Sequence, residues 1–130
     1  MDHAVDTAFA PLVDRAKNDP EVLAVILFGS RARGQASPES DFDVCLVLDP
    51  EPRSRLAAAH KRLQYLAGSD VDLALFQQLP LHIRSRVLKE GLVLFVRDED
   101  ALYALATRTA RAFEDFRHIY RHYLDQVARD

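Results

Sequence analysis

Three aspartates and one glycine–serine turn supply the chemistry available to this 130-residue chain. Asp41 and Asp43 stand one residue apart in "SDFDVCLVL", and Asp72 stands in "DVDLALF". In a strand, residues i and i+2 point to the same face, about 6–7 Å apart. Asp41 and Asp43 therefore project side by side, and two like charges so placed need a cation or a proton to neutralise them. Magnesium fits such a site, because it is hard, prefers oxygen ligands and takes one or two carboxylates plus substrate phosphates. Two such ions roughly 3.5–4 Å apart can share a bridging carboxylate, and Asp43, deeper in its strand, is the bridging candidate. Asp72 alternates with Val71 and Leu73. If its strand neighbours that of Asp41 and Asp43, it completes a cluster of three carboxylates, one of which can take the proton from an attacking hydroxyl. Asp70 shares its face but lies nearer the Gly68-Ser69 turn, where an exposed aspartate is ordinary.

The turn precedes the carboxylates in "FGSRARG", Phe28 to Gly34. Gly29 lacks a Cβ and lets the backbone approach a ligand closely. Ser30 offers a hydroxyl and an N–H at an expected helix start, where phosphate binding is favoured, and Arg31 and Arg33 add positive charge. The Gly-Lys-Ser/Thr ending of a Walker A loop is missing. A phosphate cradle beside a metal cluster is nonetheless the set needed for phosphoryl or nucleotidyl transfer.

The elements that must hold these groups follow from periodicity. Residues 4–17 carry a helical pattern with Pro11 inside it, as a kink or a start, and Asn18-Asp19-Pro20 stops it. The continuous apolar run Val22 to Phe28 predicts a central strand buried on both faces. Residues 30–36 suit a short helix and 36–40 a loop. Asp41 to Leu48 predicts a second strand whose even face (Phe42, Val44, Leu46, Leu48) is core. A helix over 53–66, a strand over 70–76, a helix over 80–90 stopped at Gly91, a strand over 92–96 and one long or broken helix over 99–128 complete the chain. The order α-β-(short α)-β-α-β-α-β-α predicts a small α/β or α+β sheet of about four strands with helices packed on it.

Bulk properties narrow the function. The length suits a single domain over residues 1–130, and 48% apolar residues can form a core. The net charge is −3 with the signs well mixed, which argues against a dedicated nucleic-acid binder. A lone Cys45 excludes an internal disulfide and a cysteine zinc site. The longest apolar run is too short for a bilayer and no secretory signal is evident, so the expected location is cytoplasmic.

The residues that carry the chemistry also carry a resemblance. "GSRARG" (Gly29 to Gly34), "SDFDV" (Ser40 to Val44) and "VDLALF" (Val71 to Phe76) together resemble the minimal nucleotidyltransferases of the polymerase-β-like family. The likeness extends over about Val22 to Glu99. It implies an α+β polymerase-β-like fold with a small mixed sheet and a long C-terminal helix. It implies Asp41, Asp43 and Asp72 as the catalytic metal triad for two Mg²⁺ ions. Gly29 and Ser30 would meet the triphosphate of ATP, and family position favours Arg33 over Arg31 as the phosphate contact. Chains this short in that family are often antitoxin halves of two-gene modules. The implied partner is a HEPN ribonuclease toxin, silenced by AMP transfer to a tyrosine hydroxyl, in a hetero-oligomer or beside a homodimer. Two alternatives stay open: a non-catalytic antitoxin that occludes its partner, and an adenylyltransferase acting on a small molecule such as an aminoglycoside.

Other features have plainer readings. Cys45 shares the aspartate face but is expected to be a small buried residue. His118 and His122 lie four apart on a helix without an evident third ligand, and the Arg117-x4-His122 spacing is read as coincidence. The apolar stripe of the last helix serves the core in its first half. Its far end, rich in Tyr, Phe and Arg, is expected to be an interface.

Overall fold

The computed structural model describes residues 3–28, 44–67 and 71–129, with side chains in the first helix from Phe9 onward. In chain order the elements are α1 (His3–Lys17), β1 (Val22–Leu27), β2 (Val44–Leu48), α2 (Arg55–Leu66), β3 (Leu73–Leu75), a 3₁₀ turn (Phe76–Gln78), α3 (Leu81–Glu90), β4 (Leu92–Val96) and α4 (Glu99–Arg129). The strands form one mixed sheet in the order β3-β2-β1-β4. β1 is antiparallel to both neighbours, and β2 and β3 run parallel.

Every residue of β1 and β2 is buried, because helices cover both faces of the sheet. On one face Val22, Val25, Leu27, Val44, Leu46 and Leu48 pack against Phe9, Leu12 and Ala16 of α1 and Ala58 and Tyr65 of α2. On the other, Leu23, Ile26, Cys45 and Val47 pack against Phe76, Val87 of α3 and Leu102 and Leu105 of α4. The second strand was expected to have core on its even face; its odd positions Cys45 and Val47 are core as well. Burying each such aliphatic side chain contributes about 1.5–3 kcal/mol.

One boundary differs from the sequence reading, and two alternatives that the sequence left open are resolved. The third strand is three residues long rather than seven. The side-chain amide of Gln77 takes over the ladder, donating from Nε2 to Leu48 O at 2.7 Å and accepting from Leu48 N–H at 3.3 Å, so Phe76 turns into the 3₁₀ segment. Pro11 lies inside α1 rather than at its start. The last helix is unbroken over 31 residues. Its start is capped by Asp98, whose Oδ1 accepts the Ala101 N–H at 3.2 Å. The expected short helix over 30–36, the loop over 36–40 and the first part of the second strand lie outside the described residues.

Long-range side chains lock the layers. Arg97, just past β4, donates to the carbonyls of Ala16, Lys17, Asp19 and Val22 at 2.9–3.1 Å, a cationic cap on the C-terminus of α1. Asp19 follows α1, and its Oδ2 accepts from Lys61 Nζ at 2.9 Å and Tyr65 Oη at 2.7 Å, both on α2. Partial burial pushes the Asp19 carboxyl up. The hydrogen bonds from Lys61, Tyr65 and the Glu21 N–H outweigh it and hold the group below its ordinary value of 3.8. For Lys61, burial pushes the ammonium down, but Asp19 and Glu21 hold it above 10.5.

Two outcomes follow. The depressed Asp19 carboxyl contributes stability that is complete above pH 3.8 and is lost as pH falls through its lower folded value. Lys61→Met should therefore cost on the order of 1 kcal/mol near neutral pH, and most of that deficit should vanish in acid, as read by urea unfolding across a pH series. A deficit of constant size into acid would show that the pair contributes packing only. At Gly91, which joins α3 to β4, a Cβ would collide with Ile26 Cγ2 and lie 2.5 Å from Val87 O. Gly91→Ala should destabilise the chain by about 1–3 kcal/mol in the same assay; an unchanged midpoint would contradict that close approach.

Candidate active site

Strand polarity gathers four chain segments at one end of the sheet. Leu27, the last residue of β1, lies opposite Val44, the first of β2, and opposite Leu92, the first of β4. Val44 in turn lies beside Leu73, the first of β3. β1 therefore ends where the other three strands begin. Phe28, the residue before Gly29, is buried at this end, and Val44 is the residue after Asp43.

Asp72 stands at the same end. Its carbonyl accepts the Val44 N–H at 3.2 Å, and its side chain is exposed. Its face follows from its neighbours. Leu73 and Leu75 enter the core against α1 and α2, and Val71 packs against that cluster. Asp72 alternates with them and shares the parity of Ala74, the partner of Cys45, whose side chain belongs to the α3/α4 face. Asp72 thus has the parity of the odd positions of β2, the series to which Asp43 and Asp41 belong in sequence. Of the residues expected in the site, Gly29, Ser30, Arg31, Arg33, Asp41 and Asp43 lie outside the described residues.

Two arginines that the sequence reading did not single out border this end. Arg62 of α2 donates from Nε to Leu73 O at 2.9 Å, one residue from Asp72. Arg86 of α3 stacks its guanidinium 5.8 Å from the centroid of Phe28 and pairs with Glu90 at 3.3 Å. Both bring positive charge toward the end where a triphosphate was expected. Neither is marked in the sequence, since each sits in a helix and only the packing of that helix decides which sheet end it reaches.

Cys45 is wholly buried, and burial pushes its thiol pKa far up, so it is a core residue and not a nucleophile. His118 and His122 lie on exposed helix surface, where Gln126 Nε2 donates to His122 Nε2 at 3.3 Å. Among the described residues no helix is long and apolar enough to cross a membrane.

Comparison with known proteins fits this geometry. A curated relative from Methanocaldococcus jannaschii, named as a candidate protein adenylyltransferase, is 31% identical over 75 residues, which are 58% of this chain and 57% of that protein. The chain thus spans little more than half the length of that relative. Among solved structures, a chain of the toxin–antitoxin complex MntA–HepT superposes with a TM-score of 0.66 at 16% identity, over 94% of this chain and 97% of that one. A chain of a toxin–antitoxin crystal structure with AMP-PNP gives 0.65 at 21% identity, with the same coverage. A chain from the complex of a tri-AMPylated HEPN toxin with its MNT antitoxin, from Shewanella oneidensis, gives 0.62 at 17% identity over 90% of this chain and 93% of that one. These likenesses establish the shared fold. Residues 11–100, which hold the turn, the three aspartates and all four strands, match the family described as Polymerase beta, Nucleotidyltransferase, and the chain belongs to that family.

Proposed function

We propose that this chain is a single nucleotidyltransferase unit that transfers AMP from ATP to a hydroxyl, most simply a tyrosine hydroxyl, of a HEPN-type toxin and thereby silences it. The observation that carries the reading is the sheet end at which Asp72 lies beside the start of β2, with its carbonyl bonded to Val44. Extending that register by one residue would set Asp43 opposite Asp72 and Asp41 close by, while β1 would hand the chain to Gly29 and Ser30 at the same end. The structural neighbours supply the context: one complex contains AMP-PNP, and another contains a tri-AMPylated HEPN toxin.

In this reading Gly29 and Ser30 hold the triphosphate through backbone N–H groups and the serine hydroxyl, with Arg33 on a phosphate oxygen. The acceptor oxygen attacks the α-phosphorus, the bond from that phosphorus to the bridging oxygen breaks, and pyrophosphate leaves. The hydroxyl proton passes to a carboxylate, with Asp72 as the base. Asp41, Asp43 and Asp72 would hold Mg²⁺; the exposed, hard oxygen donors of Asp72 suit that ion. When bound, magnesium would neutralise phosphate charge and lower the pKa of the acceptor hydroxyl. Arg62 and Arg86 would add to the field that attracts the nucleotide.

A second reading, neutralisation by occlusion, is favoured by one observation. The far half of α4 is an exposed apolar face able to hold a partner without any chemistry.

The double variant Asp41→Asn with Asp43→Asn should abolish AMP addition to the HEPN-type protein, read as intact mass, and should release its ribonuclease activity. Full neutralisation by the double variant would instead establish occlusion. Asp72→Asn should slow AMP transfer by about 10²–10⁴-fold. Because its side chain is exposed, it should shift unfolding by less than about 0.5 kcal/mol. Unimpaired transfer by Asp72→Asn would remove Asp72 from the chemistry.

A further inference from the structure

Helix α4 is 31 residues long, about 46 Å, and only its first half packs on the rest of the described chain. Leu102 and Leu105 join the core around Val87, and Thr109 is buried with its hydroxyl donating to Leu105 O at 2.8 Å. Phe113 lies under Lys89, whose Nζ is 5.9 Å from the ring centroid. Lys89 is the penultimate residue of α3, so α4 outruns α3 from this point.

The apolar spacing does not stop where the partner stops. Leu102, Ala106, Thr109, Phe113, Phe116, Tyr120, Tyr123 and Val127 follow one another in alternating steps of four and three. A repeat of 3.5 sustained over this length is a helix-packing seam. Beyond Phe113 the seam and its flanks lie open: Ile119 is 69% exposed, Tyr123 60% and Val127 53%, with Phe116, Tyr120 and Leu124 about half exposed. Phe116 and Tyr120 stack with centroids 6.0 Å apart. These six side chains present on the order of 600 Å², the upper end of what monomers leave exposed. With its polar rim, such a patch approaches the roughly 800 Å² per partner of a stable interface.

Three observations select the occupant. The stripe is wide, because Ile119 and Leu124 flank the seam on both sides. It fits a groove between two helices, each covering one flank, whereas pairing with a single helix of a second copy would leave both flanks partly in water. The opposite face mixes Arg108, Arg111 and Arg121 with Glu114, Asp115 and Asp125, unlike the basic polar face of a membrane-surface helix. Direction is the third. α3 runs toward the sheet end that holds Phe28, as the Arg86–Phe28 stacking shows. α4 passes the end of α3 and continues for about 24 Å beyond it, past the end of the sheet where Asp72 stands.

We propose that residues 113–127 of α4 seat in a groove between helices of the acceptor protein and so deliver its hydroxyl to the Asp72 end of the sheet. The proposal rests on the proposed function for the identity of the acceptor as the HEPN-type protein.

The test compares the intact chain, the stripe variant Ile119→Glu with Tyr123→Glu, and the opposite-face variant Arg111→Glu with Asp125→Lys. All substituted residues are exposed, and circular dichroism and melting verify each fold. Affinity for the purified HEPN-type protein is read by calorimetry, AMP transfer by kcat/KM, and nucleotide binding with AMP-PNP. The stripe variant should lose roughly thirtyfold or more in affinity, with kcat/KM falling through KM and AMP-PNP binding unchanged. The opposite-face variant should match the intact chain. Undiminished affinity of the stripe variant, or no binding by the intact chain, overturns the proposal. So does a dimer of the chain alone, or binding to anionic vesicles, that the stripe variant abolishes. If the intact chain binds the HEPN-type protein but transfers no AMP, the transferase reading fails, and the affinity of the stripe variant still decides the docking surface.

Discussion

The organising constraint is the complete burial of β1. Its six residues have a strand on either side and helices on both faces, so its backbone must be paired throughout and its side chains must be apolar. Both neighbours run antiparallel to it. Once Leu27 is fixed, Val44 and Leu92 are fixed beside it, and Leu73 follows through the parallel pairing with β2. A strand buried this fully can offer polar groups to a ligand only where it ends. The other strands begin there, and Asp72 is found there.

Much of this could be read from the chain. Val22 to Phe28 is a continuous apolar run with no other plausible place than the centre of a sheet, and Gly91 marks the end of α3. The parity of Asp72 followed from its alternation with Val71 and Leu73, and the packing of both against α1 and α2 agrees. Local patterns failed where distant groups decide. The third strand is short because Gln77 pairs with Leu48 through its side chain, an exchange no periodicity records. Arg97 carries no sequence signal of its own, yet it donates to four carbonyls around the end of α1. Arg62 and Arg86 reach the Asp72 end of the sheet only because their helices pack where they do. The apolar stripe of α4 was visible in full, but the point at which it loses its internal partner depends on the length of α3.

The division of labour within the chain follows from the same packing. The core ties α1, α2 and the sheet into a platform, with Lys61, Tyr65 and Arg97 as cross-links between layers. α4 is the exception: half of it belongs to the platform and half projects from it. In the proposed function, such an extension would give a macromolecular acceptor a place to dock.

The most direct measurement is a crystal structure of the chain with Mn²⁺ and a non-hydrolysable ATP analogue, with the metal located by anomalous scattering. The account predicts an ion at about 2.0–2.2 Å from a carboxylate oxygen of Asp72 that is also held by Asp43, with the triphosphate against Gly29 and Ser30. Metal bound by Asp41 and Asp43 alone, with Asp72 turned to the other face of the sheet or too far away to share it, would contradict the account.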